Sequence, residues 1–157
     1  MKTITFRGRL AIGTQDKLRL RTNNGKTGYK ITKFEVIPLN PGTATAEAIT
    51  KIFTTNQTGS IGPTVDFTDS ELIAVSYYQS VPVHNSSAGQ AVSKNIIFDN
   101  AVINQDLFVT VDDATGNTDE INYYIELERM TLDEVESTML TLKSLRTIAS
   151  QWVNNII

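Results

Sequence analysis

Residues 121–134, INYYIELERMTLDE, contain the change of pattern that decides the fold. The segment INYYIELER alternates apolar and polar side chains, which predicts a strand with one buried face. The residues of that face are Ile121, Tyr123, Ile125 and Leu127. The segment TLDE then matches a capping box, in which the Thr131 hydroxyl accepts from the Glu134 amide and the Glu134 side chain reaches back. We therefore expect the last strand to end just before Thr131, where a helix begins.

The segment after Thr131 has the pattern of an amphipathic helix. Its apolar residues recur at steps of three and four, the spacing of one helix face. Acidic residues come early, whereas Lys143 and Arg146 come late, as the helix dipole favours. This stripe can pack on the preceding domain or pair with other copies in a short bundle, and the sequence leaves both alternatives open. The residues predicted for packing or assembly are Leu132, Val135, Met139, Leu142, Leu145 and Trp152.

The chain before residue 121 reads as short strands separated by turns. Abundant Thr and Ile favour strands, and Asn, Gly and Asp favour turns. A slip of the alternation between Ile31 and Phe34 indicates a β-bulge. We predict a long loop at SVPVHNSSAGQAVSK and a hairpin tip at DDATGNTDE. The predicted strands are TITFR, KLRLR, YKITKFEVI, EAITKIFTT, ELIAVSYYQ, NIIFDNAVI, LFVTVDD and INYYIELER.

About eight short strands with turns between them are typical of an antiparallel sandwich or barrel. We predict an all-β fold: a jelly-roll-like antiparallel β-sandwich over residues 1–130, followed by a C-terminal amphipathic α-helix over residues 131–157. An immunoglobulin-like sandwich is the second choice, because the chain lacks the Cys and Trp pattern of true members. The 157 residues suit one domain of this size.

Composition excludes several classes of function. The chain has no cysteine, which excludes disulfides, thiolate catalysis and Cys-based zinc sites. No apolar run approaches the roughly 18 residues that span a bilayer, so we expect no membrane partner. The segment MKTITFRGRLAIG has no continuous apolar region and no small-residue cleavage site, so no secretory signal is expected.

Charge is distributed unevenly along the chain. Residues 1–33 contain nine Lys and Arg against one acid, or +8, and the remainder contains five cations against sixteen acids, or −11, which sum to −3. The period of two along strands predicts a basic, partner-binding strand face. Its predicted residues are Arg7, Arg9, Lys17, Arg19 and Arg21.

Three interpretations of this basic face remain open. It can lie against the acidic part of the same chain. It can instead meet the acidic surface of a neighbour, where charge complementarity sets orientation and specificity. Nucleic-acid phosphates are a third, less favoured partner, because the stripe has few interleaved aromatic residues and the chain is acidic overall.

The sequence contains no pattern that supports catalysis, a cofactor or a metal site. His84 is the single histidine and lies near Ser86 and Ser87, an arrangement that rarely provides an oriented base. The acidic segment DDATGNTDE could hold calcium but does not match the EF-hand spacing. Glu126 and Glu128 share a strand face, which is a poor cleft for glycoside hydrolysis. We therefore predict no enzymatic activity, no cofactor and no metal.

The chain resembles small β-sandwich structural proteins of bacteriophage virions, in particular capsid-associated proteins of cement or decoration type. The resemblance lies in the short Thr/Ile/Asn-rich strands, the absence of cysteine, the split charge and the final INYYIELERMTLDEVESTMLTLKSLR. It implies many copies on or in a particle, often as trimers. The implied partners are other copies of the chain and a major capsid or other virion protein. We accordingly expect a virion protein assembled in the host cytoplasm.

Two alternatives to a capsid role remain. A tail or neck component of the virion would show the same sequence features. A carbohydrate-binding, lectin-like sandwich would need exposed aromatic side chains, and the clustered candidates are two adjacent tyrosine pairs. Because adjacent strand residues point to opposite faces, at most one tyrosine of each pair can be exposed. The pairs are Tyr77 with Tyr78 and Tyr123 with Tyr124.

Overall fold

The computed structural model describes residues 2–42, 44–81, 90–98 and 102–156. Within these residues, nine strands precede one helix. Their bounds are β1 Lys2–Leu10, β2 Thr14–Leu18, β3 Thr27–Pro38, β4 Ala46–Phe53, β5 Leu72–Val81, β6 Gln90–Ile97, β7 Val102–Ile103, β8 Leu107–Asp113, β9 Ile121–Thr131 and α1 Glu134–Ile156.

The strands form two antiparallel sheets that pack face to face. The four-stranded sheet has the order β1-β9-β3-β7, and the five-stranded sheet has the order β2-β8-β4-β5-β6. If β6, an added edge strand paired with β5, is left out, the remaining eight strands can be numbered from first to eighth in chain order. The four-stranded sheet then has the order first, eighth, third and sixth. The other sheet then holds the second, seventh, fourth and fifth. This connectivity is that of a jelly roll, so the predicted fold is confirmed.

Strand β9 lies at the centre of the four-stranded sheet, between β1 and β3. The buried face of β9 is the one that the sequence predicted, because Ile121, Tyr123, Ile125 and Leu127 are all buried. They meet the inward side chains of the second sheet, among them Val109 of β8. Removal of these apolar side chains from water is the main stabilisation of the sandwich.

The predicted bulge in β3 is present. The pairing of β3 with β9 shifts between Ile31 and Lys33. The shift changes the phase of the strand, so that Ile31 and Phe34 both face the core although they are three residues apart. The break in the alternation of the sequence therefore marks the bulge, which keeps the apolar side chains on both sides of it in the core.

Two predicted elements in the second half of the chain are wrong in detail. The segment NIIFDNAVI is not one strand, because β6 and β7 lie in different sheets. The predicted loop from Ser80 to Lys94 is shorter, since β5 continues to Val81 and β6 begins at Gln90. The ends of β5 and β6 contain polar residues, so the sequence pattern did not predict that these two strands pair.

The segment DDATGNTDE is also not a hairpin tip. It connects β8 to β9, which belong to opposite sheets. Asp113 organises this crossing, because its carboxylate accepts from the amides of Thr115, at 2.7 Å, and of Glu47, at 3.0 Å. Asp119 accepts from the backbone amide of Asn40 at 2.9 Å, which ties the crossing to the loop after β3.

The helix begins later than the capping box predicted. Strand β9 continues through Thr131, and α1 starts at Glu134. Asp133 is the capping residue, because its carboxylate accepts from the Glu136 amide at 2.8 Å. Thr131 cannot cap, since its backbone is still paired with Thr27 of β3.

Much of the outer face of the five-stranded sheet is covered by the chain itself. A second apolar cluster of Ile49, Phe53, Leu72 and Val75 is buried there. The Lys51 ammonium donates to the carbonyl oxygens of Gly62, at 3.1 Å, and Thr64, at 2.7 Å, in the loop between β4 and β5. Burial lowers the pKa of Lys51, and Asp112 opposes that effect.

Tyr123 links the two sheets at the β1 edge. Its ring lies against Gly8 of β1, where a Cβ atom would stand 2.5 Å from the tyrosine oxygen. The hydroxyl donates to Asp16 of β2 at 3.0 Å. Burial, with a smaller effect of Asp16, raises the pKa of Tyr123 above its ordinary value of 10.0.

We expect the free energy of unfolding to fall as the pH rises above about 10. Tyr123 holds its proton more tightly in the folded chain, so its contribution is complete below the unfolded pKa and is lost above it. The Tyr123→Phe variant should be less stable by about 1 kcal/mol at pH 7, because it lacks the hydrogen bond. It should also show a shallower alkaline loss in urea unfolding. An alkaline loss as steep as that of the wild type would contradict this assignment.

Candidate interaction surfaces

The helix is attached to one end of the sandwich by polar contacts. The Ser137 hydroxyl donates to the carbonyl oxygen of Gly25 at 2.8 Å. The buried Asn104 amide donates to the same carbonyl and to the Thr141 hydroxyl, each at 3.1 Å. We call these four residues the polar clasp. It joins the loops before β3 and after β7 to one face of the helix.

Gly25 allows this close approach. Its φ is +83°, in the left-handed region that favours glycine. A Cβ atom at this position would lie 3.1 Å from both Asn104 Nδ2 and Thr141 Oγ1. A larger residue would therefore push against both the loop and the helix.

The opposite face of the helix is exposed. We call it the apolar stripe, formed by Val135, Met139, Leu142 and Leu145. The exposed fractions of these four residues lie between 59% and 68%. The stripe does not pack on the sandwich, so the packing alternative from the sequence is wrong for these residues. Their role in assembly stays a prediction.

Two other predicted helix residues fall elsewhere. Leu132 is buried, and its side chain fills the space beside Gly28, so it does pack on the sandwich. The Trp152 side chain lies outside the described residues. Sequence reasoning missed the domain-facing side, although Ser137, Thr141 and Ser144 recur at helical spacing opposite the apolar residues.

The five predicted basic residues do not share one face. Arg7 and Arg9 lie on the outer side of β1 in the four-stranded sheet, whereas Lys17 lies on the outer side of β2 in the other sheet. Strand β2 ends at Leu18, so Arg19 and Arg21 belong to the following loop. The Leu20 amide donates to the Asp106 carboxylate at 3.0 Å, instead of to a neighbouring strand. The predicted basic strand face is therefore wrong for Arg19 and Arg21, and its other three residues are divided between the two sheets.

Part of the basic charge is balanced within the chain. Ion pairs join Arg9 to Glu120 at 3.0 Å, Lys17 to Asp106 at 3.4 Å, and Lys33 to Glu35 at 3.9 Å. All these side chains are partly exposed, so each pair stabilises the fold by less than about 1 kcal/mol. The interpretation that the basic residues lie against acidic residues of the same chain thus applies to three of the nine cations within residues 1–33.

The other cations of this region make no ion pair with any described residue. They are Lys2, Arg7, Arg19, Arg21, Lys26 and Lys30. We call Arg19, Arg21 and Lys26 the basic loop, because all three are exposed in the connection between β2 and β3. This connection also contains Gly25 of the polar clasp. The basic loop therefore lies at the end of the sandwich where the helix attaches.

A shallow groove of about 660 Å³ crosses the outer face of the four-stranded sheet. Arg7, Tyr124 and Glu35 form one row across β1, β9 and β3. The Tyr124 hydroxyl donates to Glu126 at 2.7 Å, and this contact raises the pKa of Tyr124. Ile37, which is 62% exposed, adds apolar surface. The groove thus offers one aromatic side chain beside charged groups.

The tyrosine pairs split between faces as predicted. Tyr123 is buried, while Tyr124 lies in the groove on the outer face. Tyr78 packs against the main core, and Tyr77 belongs to the outer apolar cluster, with its hydroxyl donating to Glu47 at 2.8 Å.

The acidic residues that were considered as catalytic or metal-binding candidates make structural contacts in the fold. Asp113 and Asp119 accept hydrogen bonds from backbone amides, and Glu120 pairs with Arg9. Among the described residues, no three His, Asp or Glu side chains are grouped closely enough to hold a metal ion. Glu126 lies on the open sheet face, where it accepts from Tyr124. His84, Ser86 and Ser87 lie outside the described residues.

The described helix lacks the combination of length and apolar character that crossing a membrane requires. Comparison with models of known protein families gave no match to this chain. A search of curated proteins also found no sequence similar to it.

The Gly25→Ala variant should loosen the helix. The substitution adds left-handed strain of about 1–2 kcal/mol and a collision with the polar clasp. Gly42→Ala is a matched control, because Gly42 has a φ of +79° but nothing within 4 Å of an added Cβ. We expect faster hydrogen exchange at the amides of residues 137–145 in Gly25→Ala alone. Equal protection of these amides in the two variants would argue against the clasp.

Proposed function

We propose that the chain is a non-enzymatic structural protein of a bacteriophage virion. It acts as a capsid-associated cement or decoration protein, or as a minor capsid component. Its partners are other copies of the chain and a major capsid protein. Its site of action is the assembled particle.

The apolar stripe is the observation that carries this proposal. Four large apolar side chains lie together in solvent on one helix face. Contiguous exposed apolar surface of this kind marks an interaction site more often than isolated exposed residues do. The polar clasp keeps the stripe turned outward, so a contact with another chain is the means by which it becomes buried.

The jelly-roll topology supports the proposal at a coarser level. This fold occurs in viral capsid domains, and also in lectin domains and cupins. Fold alone does not choose among these roles, because function depends on the surface that each fold carries. The exposed helix stripe favours assembly, since a lectin or a cupin works through a concave site.

The basic loop provides a second contact of different character. Arg19, Arg21 and Lys26 are exposed and make no ion pair with a described residue. An acidic neighbour would be steered and oriented by this charge, with a modest effect on affinity. Nucleic-acid phosphates suit the loop less well, because the chain has a net charge of −3 and the loop contains no aromatic residue.

Incorporation into particles tests the proposal. The wild-type chain should copurify with gradient-purified virions in many copies, as measured by quantitative mass spectrometry. The Arg19→Glu/Arg21→Glu variant should keep its circular dichroism and unfolding midpoint but be lost from the particles, because it repels the acidic partner. Lys94→Glu, an exposed charge on edge strand β6, is the control and should incorporate normally.

Absence of the wild-type chain from purified virions would overturn the virion role. Normal incorporation of the Arg19→Glu/Arg21→Glu variant would instead show only that the basic loop takes no part in the contact with the particle. A location at the tail or neck would be recognised by a low, fixed copy number, in contrast to the high number of a capsid decoration.

The groove on the four-stranded sheet favours a second candidate, a carbohydrate-binding module. Tyr124 and Asn122 line it with Arg7 and Glu35, a combination that can stack on and hydrogen-bond to a sugar. Lys33 lies 6.0 Å from the Tyr124 ring centre, which narrows the space for a sugar ring. This obstruction makes the lectin role the weaker candidate.

A glycan array separates the two candidates. If the groove binds sugar, the array should show saturable signals that Tyr124→Ala reduces at least tenfold, because this variant removes the aromatic ring on which the apolar face of a sugar would pack. Tyr77→Ala, on the other sheet, should bind as the wild type does. The assembly role instead predicts no saturable signal for any glycan.

A further inference from the structure

We infer that the open edge of β1 binds an extended segment of another protein, which adds to the four-stranded sheet as a further strand. The side chains of this segment alternate between apolar residues on the core side and acidic residues on the outer side. The edge is a surface other than the apolar stripe and the basic loop, and its use as a binding site does not depend on a role in the virion.

Two hydrogen bonds at the ends of the β3–β9 pairing show which backbone groups of β9 meet β1. The Leu39 amide donates to the Glu120 carbonyl at 2.9 Å. The Leu132 amide donates to the Lys26 carbonyl at the same distance. Both bonds continue the register of this pairing beyond the strand ends. Because successive residues of a strand direct their N–H and C=O groups to opposite edges, even-numbered residues of β9 bond to β3 and odd-numbered residues bond to β1.

The same alternation determines which backbone groups of β1 face its open edge. Phe6 of β1 pairs with Ile125 of β9, so the even-numbered residues of β1 direct their backbone groups to β9. The odd-numbered residues direct their amides and carbonyls to the other edge. Among the described strands, only β9 pairs with β1. The residues whose backbone groups face the open edge are Thr3, Thr5, Arg7 and Arg9.

The edge of β1 is long and uninterrupted. The strand has nine residues and no proline, and its pairing with β9 runs without a bulge. Proline and bulges are two of the devices that keep the edge of a sheet from pairing with another chain. The opposite side of the sheet has both, because β3 contains the bulge after Ile31 and ends at Pro38. β1 is therefore the edge of this sheet that can accept a full strand.

The core side of this edge is apolar and incompletely covered. Ile4 and Phe6 pack against the main core but are only half-buried, whereas Leu10 at the end of the strand is buried. The edge strand of the facing sheet, β2, has only five residues. An added strand would place apolar side chains beside Ile4 and Phe6, which would remove more of their surface from water.

The charges of β1 select an acidic partner. The strand contains Lys2, Arg7 and Arg9 and no acid. Arg9 pairs with Glu120. Lys2 and Arg7 make no ion pair with any described residue. An acidic side chain opposite Arg7 on the added strand would form a favourable cross-strand pair, whereas a second β1 would bring the same three cations and be repelled.

Two synthetic peptides test the edge with the purified full chain. One alternates valine and glutamate over the length of β1, and the other alternates valine and lysine. Fluorescence anisotropy of the labelled Val-Glu peptide should show saturable binding with a dissociation constant of about 10–500 μM, because main-chain hydrogen bonds supply the affinity. The Val-Lys peptide should bind about tenfold more weakly, because the cations of β1 repel it.

The Thr5→Pro variant blocks the edge and keeps the pairing with β9. Proline removes an amide hydrogen that points to the open edge, which is a position where edge strands accept proline. Binding of the Val-Glu peptide should weaken by about tenfold or more, because the added strand loses a main-chain hydrogen bond and meets the proline ring.

Ser93→Pro on the edge strand β6 is the matched control. The Phe98 amide donates to the Ile73 carbonyl at 2.9 Å, in register with the pairing of β6 and β5. Even-numbered residues of β6 therefore bond to β5, and the Ser93 amide points away from β5. This variant loses an equivalent amide on the other sheet, so it should bind the Val-Glu peptide as the wild type does.

Charge reversal tests the selection of an acidic segment. Arg7→Glu should lower the preference for the Val-Glu peptide over the Val-Lys peptide by about tenfold, because the cross-strand attraction becomes a repulsion. Lys94→Glu reverses an exposed cation on β6 and should leave this preference unchanged.

Hydrogen exchange of the wild type locates the added strand without any substitution. In the free chain, the amides of Thr5 and Arg7 should exchange faster than those of Ile4 and Phe6, which bond to β9. Saturation with the Val-Glu peptide should slow exchange at Thr5 and Arg7. This measurement decides the outcome if Thr5→Pro fails to fold.

Absence of saturable binding up to about 1 mM peptide would overturn the inference. Equal affinity for the two peptides, equal binding by Thr5→Pro and the wild type, or unchanged exchange at Thr5 and Arg7 would also overturn it. Dimerisation of the free chain that Thr5→Pro abolishes would overturn the assigned partner, because a second copy would then occupy the edge. These measurements use no particles, so their failure would leave the virion role standing, and a chain absent from virions would leave the edge site standing.

Discussion

The polar clasp between Asn104, Gly25, Ser137 and Thr141 is the constraint on which the presentation of the surface depends. It satisfies the buried Asn104 amide through the carbonyl of Gly25 and the Thr141 hydroxyl. Because a buried polar group without a partner costs free energy, this contact fixes which side of the helix meets the domain. The apolar residues on the other side are left in solvent as a direct consequence.

The two outer faces of the sandwich differ in their availability. The loop between β4 and β5 covers much of the five-stranded sheet and is fastened by Lys51. The four-stranded sheet stays open, with Tyr124 and Ile37 along a shallow groove. The apolar stripe, the basic loop and this groove are thus distinct surfaces of the described chain, and they support the proposal that the protein acts through contacts with other molecules.

The candidate surfaces were only partly predictable from sequence, for physical reasons. Helical spacing identified the apolar stripe, because that spacing is a local property. The direction in which the stripe points depends on Asn104, a residue from a distant loop. The basic residues were misplaced for the same reason. The alternation of KLRLR predicted one strand, but the Leu20 amide donates to the carboxylate of Asp106, 86 positions away, and not to a neighbouring strand.

The sequence by itself determined the all-β class, the buried face of β9, the bulge in β3 and the C-terminal helix. Each of these follows from alternation, β-branched content or helical spacing over a few neighbouring residues. Tertiary structure decided the jelly-roll order of the strands, the capping by Asp133 and the outward direction of the apolar stripe. These depend on which distant backbone and side-chain groups satisfy one another, and that is settled only when the two sheets and the helix pack together.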